Sequence, residues 1–253
     1  MSQGAIAKAA TKVPELTLLF WVIKISATTL GETAGDAVSM SMKLGYLVGT
    51  VIFATIFLIA VVIQIKAPRF HPFIYWATII STTTVGTTLA DFATRSLGIG
   101  YAGGSTLLLV LLLGSLAVWH WTLGSISVDT VNTPKTEIFY WVTIMFSQTL
   151  GTALGDWTAD TAGFGYGGAA IIFGLAITLI TVLHFWTQIN RVALFWAAFI
   201  LTRPLGAVAG DFLDKPRESG GLELSRYSAS ATLVVFIVGC LLLFRHEAAE
   251  KSH

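Results

Sequence analysis

The chain has 253 residues, of which 55% are hydrophobic and only 11% are charged, and its formal net charge is +1. Soluble domains usually carry about 25% charged residues. This composition, with a mean hydropathy of +0.76, therefore excludes an ordinary soluble protein and indicates one that lies in a lipid bilayer. The balanced charge and the lack of a block of basic residues argue against a nucleic-acid partner.

Eight apolar segments are long enough to cross a bilayer, which takes roughly 20 residues of α-helix. The alternating pattern of outer-membrane barrel strands is absent, so these segments are predicted to be helices. The first segment carries a lysine and a glutamate and is predicted to be a retained helix, not a cleaved signal peptide. In chain order, the segments cover residues 16–37, 44–66, 73–94, 101–122, 137–158, 166–187, 190–213 and 228–245.

Four copies of one motif run along the chain, and internal repeats of this kind decide a fold. In each copy a tryptophan is followed fifteen residues later by an aspartate, a glycine stands five residues before the aspartate, and a glycine or alanine stands directly before it. The tryptophans are Trp21, Trp76, Trp141 and Trp196, and the aspartates are Asp36, Asp91, Asp156 and Asp211. The predicted repeats cover 16–66, 73–122, 137–187 and 190–245, within a single transmembrane domain that comprises residues 1–253.

This pattern resembles a family of bacterial membrane proteins built from four tandem copies of a "repeat of unknown function", each with two transmembrane segments and a characteristic tryptophan. The resemblance covers nearly the whole chain, from about Leu16 to Arg245. It implies an all-α integral membrane protein with eight transmembrane helices arranged as four parallel two-helix repeats, and it implies no activity.

Each repeat crosses the membrane twice, so all four repeats start on the same side and all four aspartates are expected near one surface. Lysine and arginine number eight on the side of the termini and five on the aspartate side, and such an excess marks the cytoplasmic side. The predicted location is the bacterial plasma (inner) membrane, with multiple spans and cytoplasmic termini.

Polar residues share a helical face with each aspartate, since a helix repeats every 3.6 residues. Carboxylate and hydroxyl oxygens are suited to hard cations, and acidic rings favour cations in membrane pores. The alternative is structural: the aspartates cap or anchor helix ends, and the small residues beside them only allow close helix packing. The predicted substrate- or ion-binding residues are Glu32, Asp36, Asp91, Asp156, Asp211, Thr29, Thr84 and Thr149.

Three charges break the repeat pattern: Lys24, Glu32 and Arg203 lie inside predicted spans. A charge at the bilayer centre costs roughly 2.5–3.5 kcal/mol on insertion scales, so these groups are expected to face protein or water. We expect Arg203 to pair with Glu32 or with an aspartate of a neighbouring repeat. Lys24 and Arg203 are predicted to be charge partners or gates of a substrate site, and the alternative is a buried structural ion pair.

The leading functional hypothesis is a small transporter or channel for a cation, either a metal ion or a proton-coupled solute. The alternatives are a non-transporting membrane scaffold or subunit, and a redox protein that holds haem or a metal through His120 and His184. Motifs for hydrolytic or phosphoryl-transfer chemistry are absent, so the chain is not expected to be an enzyme, and no cofactor is predicted. The expected partners are the lipid bilayer and a cation, and the small residues Gly174 and Gly239 leave a homo-oligomer open.

The repeated tryptophans and one proline lead to two further predictions. The four repeated tryptophans are interpreted as anchors at the membrane interface, with an aromatic collar as the alternative. Pro204 takes the place of a threonine found in the other three repeats and is expected to kink or loosen the seventh helix.

Overall fold

The structure, a computed structural model, describes residues 11–249. Within this range the fold is all-α, and the eight predicted helices are confirmed with ends that differ by a few residues. The charge count on the terminal side included Lys8 and Lys251, which lie outside the described residues. The helices are α1 (Leu18–Asp36), α2 (Tyr46–Lys66), α3 (Pro72–Asp91), α4 (Gly100–Leu123), α5 (Pro134–Asp156), α6 (Gly165–Trp186), α7 (Arg191–Asp214) and α8 (Arg226–Leu243).

The first helices of the four repeats form an inner ring. Helix α1 packs against α3, α3 against α5, α5 against α7, and α7 returns to α1. The second helices form an outer layer, in which α2 packs against α3, α4 against α5, α6 against α7 and α8 against α1. The two helices of one repeat therefore do not pack chiefly on each other: the second helix of each repeat packs against the first helix of the next repeat.

Within the described part of the chain, five helices are long and apolar enough to cross a membrane, namely α2, α4, α6, α7 and α8. Between 11% and 17% of the most apolar window of each outer helix is buried inside the protein, against 61% for α7. The outer helices therefore expose apolar side chains to lipid. Helices α1, α3 and α5 are less apolar because they carry many threonines and charges, and the ring and the outer layer enclose these side chains.

Close packing of the inner ring depends on the glycine five residues before each aspartate. A Cβ atom at each of these glycines would lie 3.0 Å or less from the residue that stands eight positions before the aspartate of the next repeat. A side chain larger than hydrogen at these points would push the helices apart. The contact recurs four times and closes the ring: Gly31 faces Thr83, Gly86 faces Gln148, Gly151 faces Arg203 and Gly206 faces Thr28. Equivalent residues therefore lie at the same height, which confirms that the repeats are parallel.

The aspartate end of the ring is not followed by a simple loop. In the first three repeats a π-helical turn continues the chain past the aspartate, over Ala37–Ser41, Phe92–Ser96 and Trp157–Thr161. In the fourth repeat α7 itself continues to Asp214, and a short 3₁₀ turn follows at Arg217–Ser219. Helix α7 is continuous through Pro204. The π-helical turns and the residues after them connect the inner helix of a repeat to its outer helix, which packs against the inner helix of the next repeat.

The two terminal segments meet at the opposite end. Pro14 and Ala248 form an antiparallel bridge, supported by a hydrogen bond from the Ala249 amide to the Val13 carbonyl. The Lys12 ammonium pairs with the buried Glu137 carboxylate at 2.7 Å, and it also bonds to carbonyl groups at the C-terminal end of α2. These contacts tie the terminal segments to the inner and outer helices.

Candidate functional site

We number the residues of each inner helix from the aspartate of its repeat, so that position −8 lies eight residues before it. Four inner helices at equal height give each position four members, which we call a layer. The −4 layer holds Glu32, Thr87, Thr152 and Ala207; the −8 layer holds Thr28, Thr83, Gln148 and Arg203; the −12 layer holds Lys24, Ile79, Ile144 and Phe199. Charges inside the ring can be located by these layers.

The guanidinium of Arg203 lies at the centre of the inner ring. The side chain is 0% exposed, and its Nη2 atom lies 3.0 Å from Glu32 Oε2, 2.6 Å from Thr87 Oγ1 and 2.5 Å from Thr152 Oγ1. The two N–H groups of this atom therefore share three side-chain acceptors, one from each of the other inner helices, and the Thr83 carbonyl lies 3.4 Å away. The expected pairing of Arg203 with Glu32 is confirmed, and the guanidinium connects all four repeats.

The four repeated aspartates are buried at one end of the ring, where two cations bridge them in pairs. Arg95 contacts Asp91 at 2.8 Å and Asp156 at 3.2 Å. Lys215 contacts Asp211 at 3.0 Å and Asp36 at 2.5 Å. Each cation stands four residues after the aspartate of its own repeat and reaches the aspartate of the following one. Because only the second and fourth repeats carry such a cation, the charge pattern has two-fold symmetry within a four-fold ring.

Arg95 and Lys215 were missed as site residues by the sequence reasoning. Their signal is the spacing of four residues, which places a cation on the same helical face as the aspartate. Lys215 lies just beyond the end of α7. Burial lowers the pKa of this lysine, but the neighbouring carboxylates of Asp211 and Asp36 outweigh that effect and raise it above its usual range. The ammonium is therefore held in its charged form.

Carboxylates outnumber the cations that contact them in this region. Six buried carboxylates, those of Glu32, Asp214 and the four repeated aspartates, meet four cations, namely Arg203, Arg95, Lys215 and Arg226. Arg226 contacts Asp214 at 2.6 Å and Asp36 at 3.8 Å. Two negative charges are therefore left over. Unpaired charge is expensive in a buried site, so protons or a bound cation must neutralise the excess.

Three of these carboxylates converge. One oxygen from each of Glu32, Asp36 and Asp211 lies within 4.8 Å of the others, which is close enough for all three to contact one cation. The Oδ1 atom of Asp36 is buried and makes no hydrogen bond. Carboxylate oxygens are the preferred ligands of hard cations. The three residues come from α1 and α7, the helices that the Arg203–Glu32 pair also joins.

The predicted threonines behave differently from the carboxylates. The hydroxyl groups of Thr29, Thr84 and Thr149 are buried, but each donates to a carbonyl one turn earlier in its own helix, at 3.0, 2.7 and 2.9 Å. The structure therefore does not bring them into the charge network. Thr87 and Thr152, at position −4, contact the central guanidinium instead.

Lys24 lies apart from the carboxylates. Its ammonium is fully buried, has no hydrogen-bond acceptor and lies 4.2 Å above the centre of the Phe199 ring. No salt bridge joins Lys24 to Glu32 among the described residues, in keeping with their separation by two helical turns.

Aromatic side chains fill the ring at the end opposite the aspartates. The hydroxyls of Tyr75 and Tyr140 lie 2.6 Å apart, and both side chains are fully buried. Trp76, Trp141 and Trp196 are only 1–3% exposed, so the interpretation as interface anchors is wrong for these three, which pack in an aromatic cluster inside the ring. The tryptophans that face lipid are others on the outer helices, such as Trp121 and Trp186.

A cavity of about 110 Å³ lies outside this aromatic cluster, with Phe20 and Trp76 in its wall and the two terminal segments around it. Neither this cavity nor a smaller one beside Arg191 reaches Lys24 or Glu32. Buried aromatic side chains close the ring at this end, and the buried, salt-bridged aspartate pairs close it at the other end.

The two histidines proposed as haem ligands lie on separate outer helices. His120 is exposed on α4, which packs against α5, and His184 is on α6, which packs against α7. Among the described residues, the group of acidic and histidine side chains close enough to share a metal ion contains neither of them.

Comparison with known proteins bears on the repeats. The chain matches the family described as "Repeat of Unknown Function (DUF347)" four times, over residues 19–70, 74–125, 139–190 and 194–247. No curated protein and no solved structure matches it. The four matches coincide with the four pairs of inner and outer helices that follow each other along the chain. The chain is an all-α membrane protein that belongs to the DUF347 repeat family.

Proposed function

We propose that the protein is a small membrane transporter in which a cation binds to the carboxylates of Glu32, Asp36 and Asp211. The cation is a metal ion or the protons that drive transport of a solute. The observation that carries this proposal is the excess of buried carboxylates over the cations that contact them. An uncompensated buried charge destabilises a purely structural network, whereas a cation site needs excess negative charge to bind its ion.

The closed ends of the ring favour a carrier over a channel. A carrier exposes its site to one side at a time, so a state that is closed at both ends belongs to its cycle. The aspartate end opens when the bridges made by Arg95 and Lys215 separate. Those bridges join repeats two to three and four to one, so their rupture divides the ring into two halves of two repeats each.

Transport is tested in liposomes that contain the purified protein. Uptake of Mg²⁺, Mn²⁺ or Zn²⁺ is followed with an ion-sensitive dye, and proton movement with a pH-sensitive dye. Glu32→Gln and Asp36→Asn are expected to remain folded and to lose or alter flux, because each removes one ligand charge. Glu218→Gln is the matched control, since it removes a carboxylate from an exposed loop on the same side. Normal flux in both site variants would overturn the assignment.

A non-transporting scaffold is the second candidate, and the contact of one guanidinium with all three other inner helices favours it. On this reading the charges only hold the ring together. The wild-type protein then shows no flux of any of these ions, and the Glu32 and Asp36 variants misfold. The location in the bacterial plasma membrane with cytoplasmic termini belongs to the same proposal, and protease access to the tagged termini in spheroplasts and in inverted vesicles tests it.

A further inference from the structure

Unpaired polar atoms are concentrated in the ring, on the terminal side of the central guanidinium. They come from all four inner helices and from positions −8 to −12, which span about one helical turn. Native proteins leave few buried polar atoms without a partner, and each instance calls for an explanation. Among the described residues at positions −8 to −12 of the inner helices, the buried atoms without a hydrogen bond are Lys24 Nζ, Thr83 Oγ1, Ser147 Oγ, Gln148 Nε2, Gln148 Oε1 and Arg203 Nε.

These atoms are mostly hydrogen-bond donors. The ammonium of Lys24 has three N–H groups, the Gln148 amide two, and Arg203 Nε one, while the only atom limited to accepting is Gln148 Oε1. The two hydroxyls of Thr83 and Ser147 can donate as well. A ligand that satisfies this set must therefore accept several hydrogen bonds at once.

The charge in the −8 and −12 layers is positive, and among the described residues no carboxylate contacts the Lys24 ammonium. The Glu32 carboxylate is engaged with Nη2 of Arg203, on the far side of the guanidinium from Lys24. The charge of Arg203 repels the Lys24 ammonium, and the Phe199 ring offers only the weaker attraction of an aromatic face. Water would satisfy the hydrogen bonds but would leave the ammonium uncompensated, so an anion suits the layer better.

We propose that the −8 and −12 layers form a second binding site, which holds a halide-sized monovalent anion between the Lys24 ammonium and the side chains of Gln148 and Arg203. The ion is compact, because the inner helices approach closely around these residues, as the contact of Gly151 with Arg203 shows. The site is separate from the carboxylate site, from which the Arg203–Glu32 pair divides it. It goes beyond the proposed cation transport and does not depend on it.

The proposal is tested with bromide, which is chemically close to chloride and can be located by its anomalous scattering. Crystals of the full-length protein grown in bromide are expected to show an anomalous peak in contact with Lys24 Nζ. In solution, unfolding is followed while bromide replaces gluconate at constant ionic strength, and bromide is expected to raise the unfolding temperature. The absence of an anomalous peak beside Lys24 Nζ, or the presence of only a water molecule there, would overturn the proposal.

The repeats themselves supply the variants. Lys24→Ile installs the residue found at position −12 in the second and third repeats, and Gln148→Thr installs the residue found at −8 in the first two. The loss of a charged donor is expected to weaken bromide binding by about tenfold or more in Lys24→Ile, and Gln148→Thr should weaken it less. Lys66→Met, at an exposed lysine, should leave binding unchanged.

Two further outcomes are decisive. If Lys24→Ile fails to fold, Gln148→Thr and the bromide position in the wild-type protein still decide the question, and an unchanged bromide response in Gln148→Thr without an anomalous peak at Lys24 would refute the site. Glu32→Gln is expected to retain the bromide response. Failure of cation transport is therefore distinguishable from failure of the anion site.

Discussion

Replacement of Arg203 by glutamine tests the centre of the ring most directly. Glutamine is the residue at the same position in the third repeat, Gln148, so the layer can accommodate its size and shape. The substitution leaves the Glu32 carboxylate buried at 3% exposure without its cation. Removal of one partner of a buried ion pair costs about 3–5 kcal/mol of unfolding free energy, and we expect a loss in that range for Arg203→Gln.

The threonine partners of Arg203 contribute little to this loss. The Thr87 hydroxyl also lies 3.2 Å from the Thr83 carbonyl, and the Thr152 hydroxyl lies 3.5 Å from the Gln148 carbonyl, so both keep an acceptor when the guanidinium is gone. The predicted loss therefore comes mainly from the stranded carboxylate. Glu32→Thr in the same chain removes that carboxylate and installs the residue found at −4 in repeats two and three.

The double variant should recover most of the stability. Replacement of a buried ion pair as a whole is often close to neutral, so Arg203→Gln with Glu32→Thr is expected within about 2 kcal/mol of the wild type, with a coupling energy of about 2 kcal/mol or more. Reversible unfolding in mixed micelles, followed by the fluorescence of the eight tryptophans, measures these values. Arg217→Gln, at an exposed arginine, is the control. Additive single effects, or a cost below about 1 kcal/mol for Arg203→Gln, would refute the reasoning.

Two other substitutions check the packing and the terminal end by the same titration. Gly206→Ala places a Cβ against Thr28 and should destabilise the protein by about 1–3 kcal/mol, whereas Gly174→Ala, at an open position on α6, should be neutral or slightly stabilising; equal effects at the two sites would contradict the close approach. Lys12→Met strands the fully buried Glu137 carboxylate and should cost about 3 kcal/mol, and an unchanged midpoint would show that the terminal segment does not hold the ring.

Sequence reasoning succeeded where a physical requirement acts within one segment or on one charge. The length of the apolar segments predicted the eight helices, and the fixed spacing of tryptophan, glycine and aspartate predicted parallel repeats. The pairing of Arg203 with Glu32 followed from the cost of isolated charges in a bilayer and from their position deep in the first and last inner helices. None of these three predictions required knowledge of which helices are neighbours.

The features that sequence reasoning missed depend on neighbours. The repeat pattern does not specify which helices are in contact, so nothing predicted that α2 would pack on α3 or that α8 would close on α1. Because the sequence does not show which repeats are neighbours, it did not predict that Arg95 and Lys215 contact the aspartate of the next repeat. The threonines at −7 share the aspartate's face on a helical wheel, but the ring turns that face so that the residues at −4 and −8 meet at the centre.

The displaced packing has a consequence for how the repeats work together. The second helix of each repeat packs on the inner helix of the next repeat, and α8 of the last repeat packs on α1 of the first. A single repeat is therefore not an independent unit, because its inner helix is covered by a helix of another repeat. The ring is therefore complete only with all four repeats, and it offers four equivalent positions in every layer. Duplication accounts for the frame, since it copies the glycines and the aspartates alike.

What duplication does not account for is the difference within each layer. The −4 layer keeps one carboxylate beside two threonines and an alanine, the −8 layer keeps one guanidinium, and the −12 layer keeps one ammonium among apolar side chains. At successive heights along one axis, the net charge is negative at the aspartates and Glu32 and positive at Arg203 and Lys24. The interior therefore separates its charges by sign. The two regions are those at which we propose that a cation and an anion bind, so the asymmetry is where we expect function to reside.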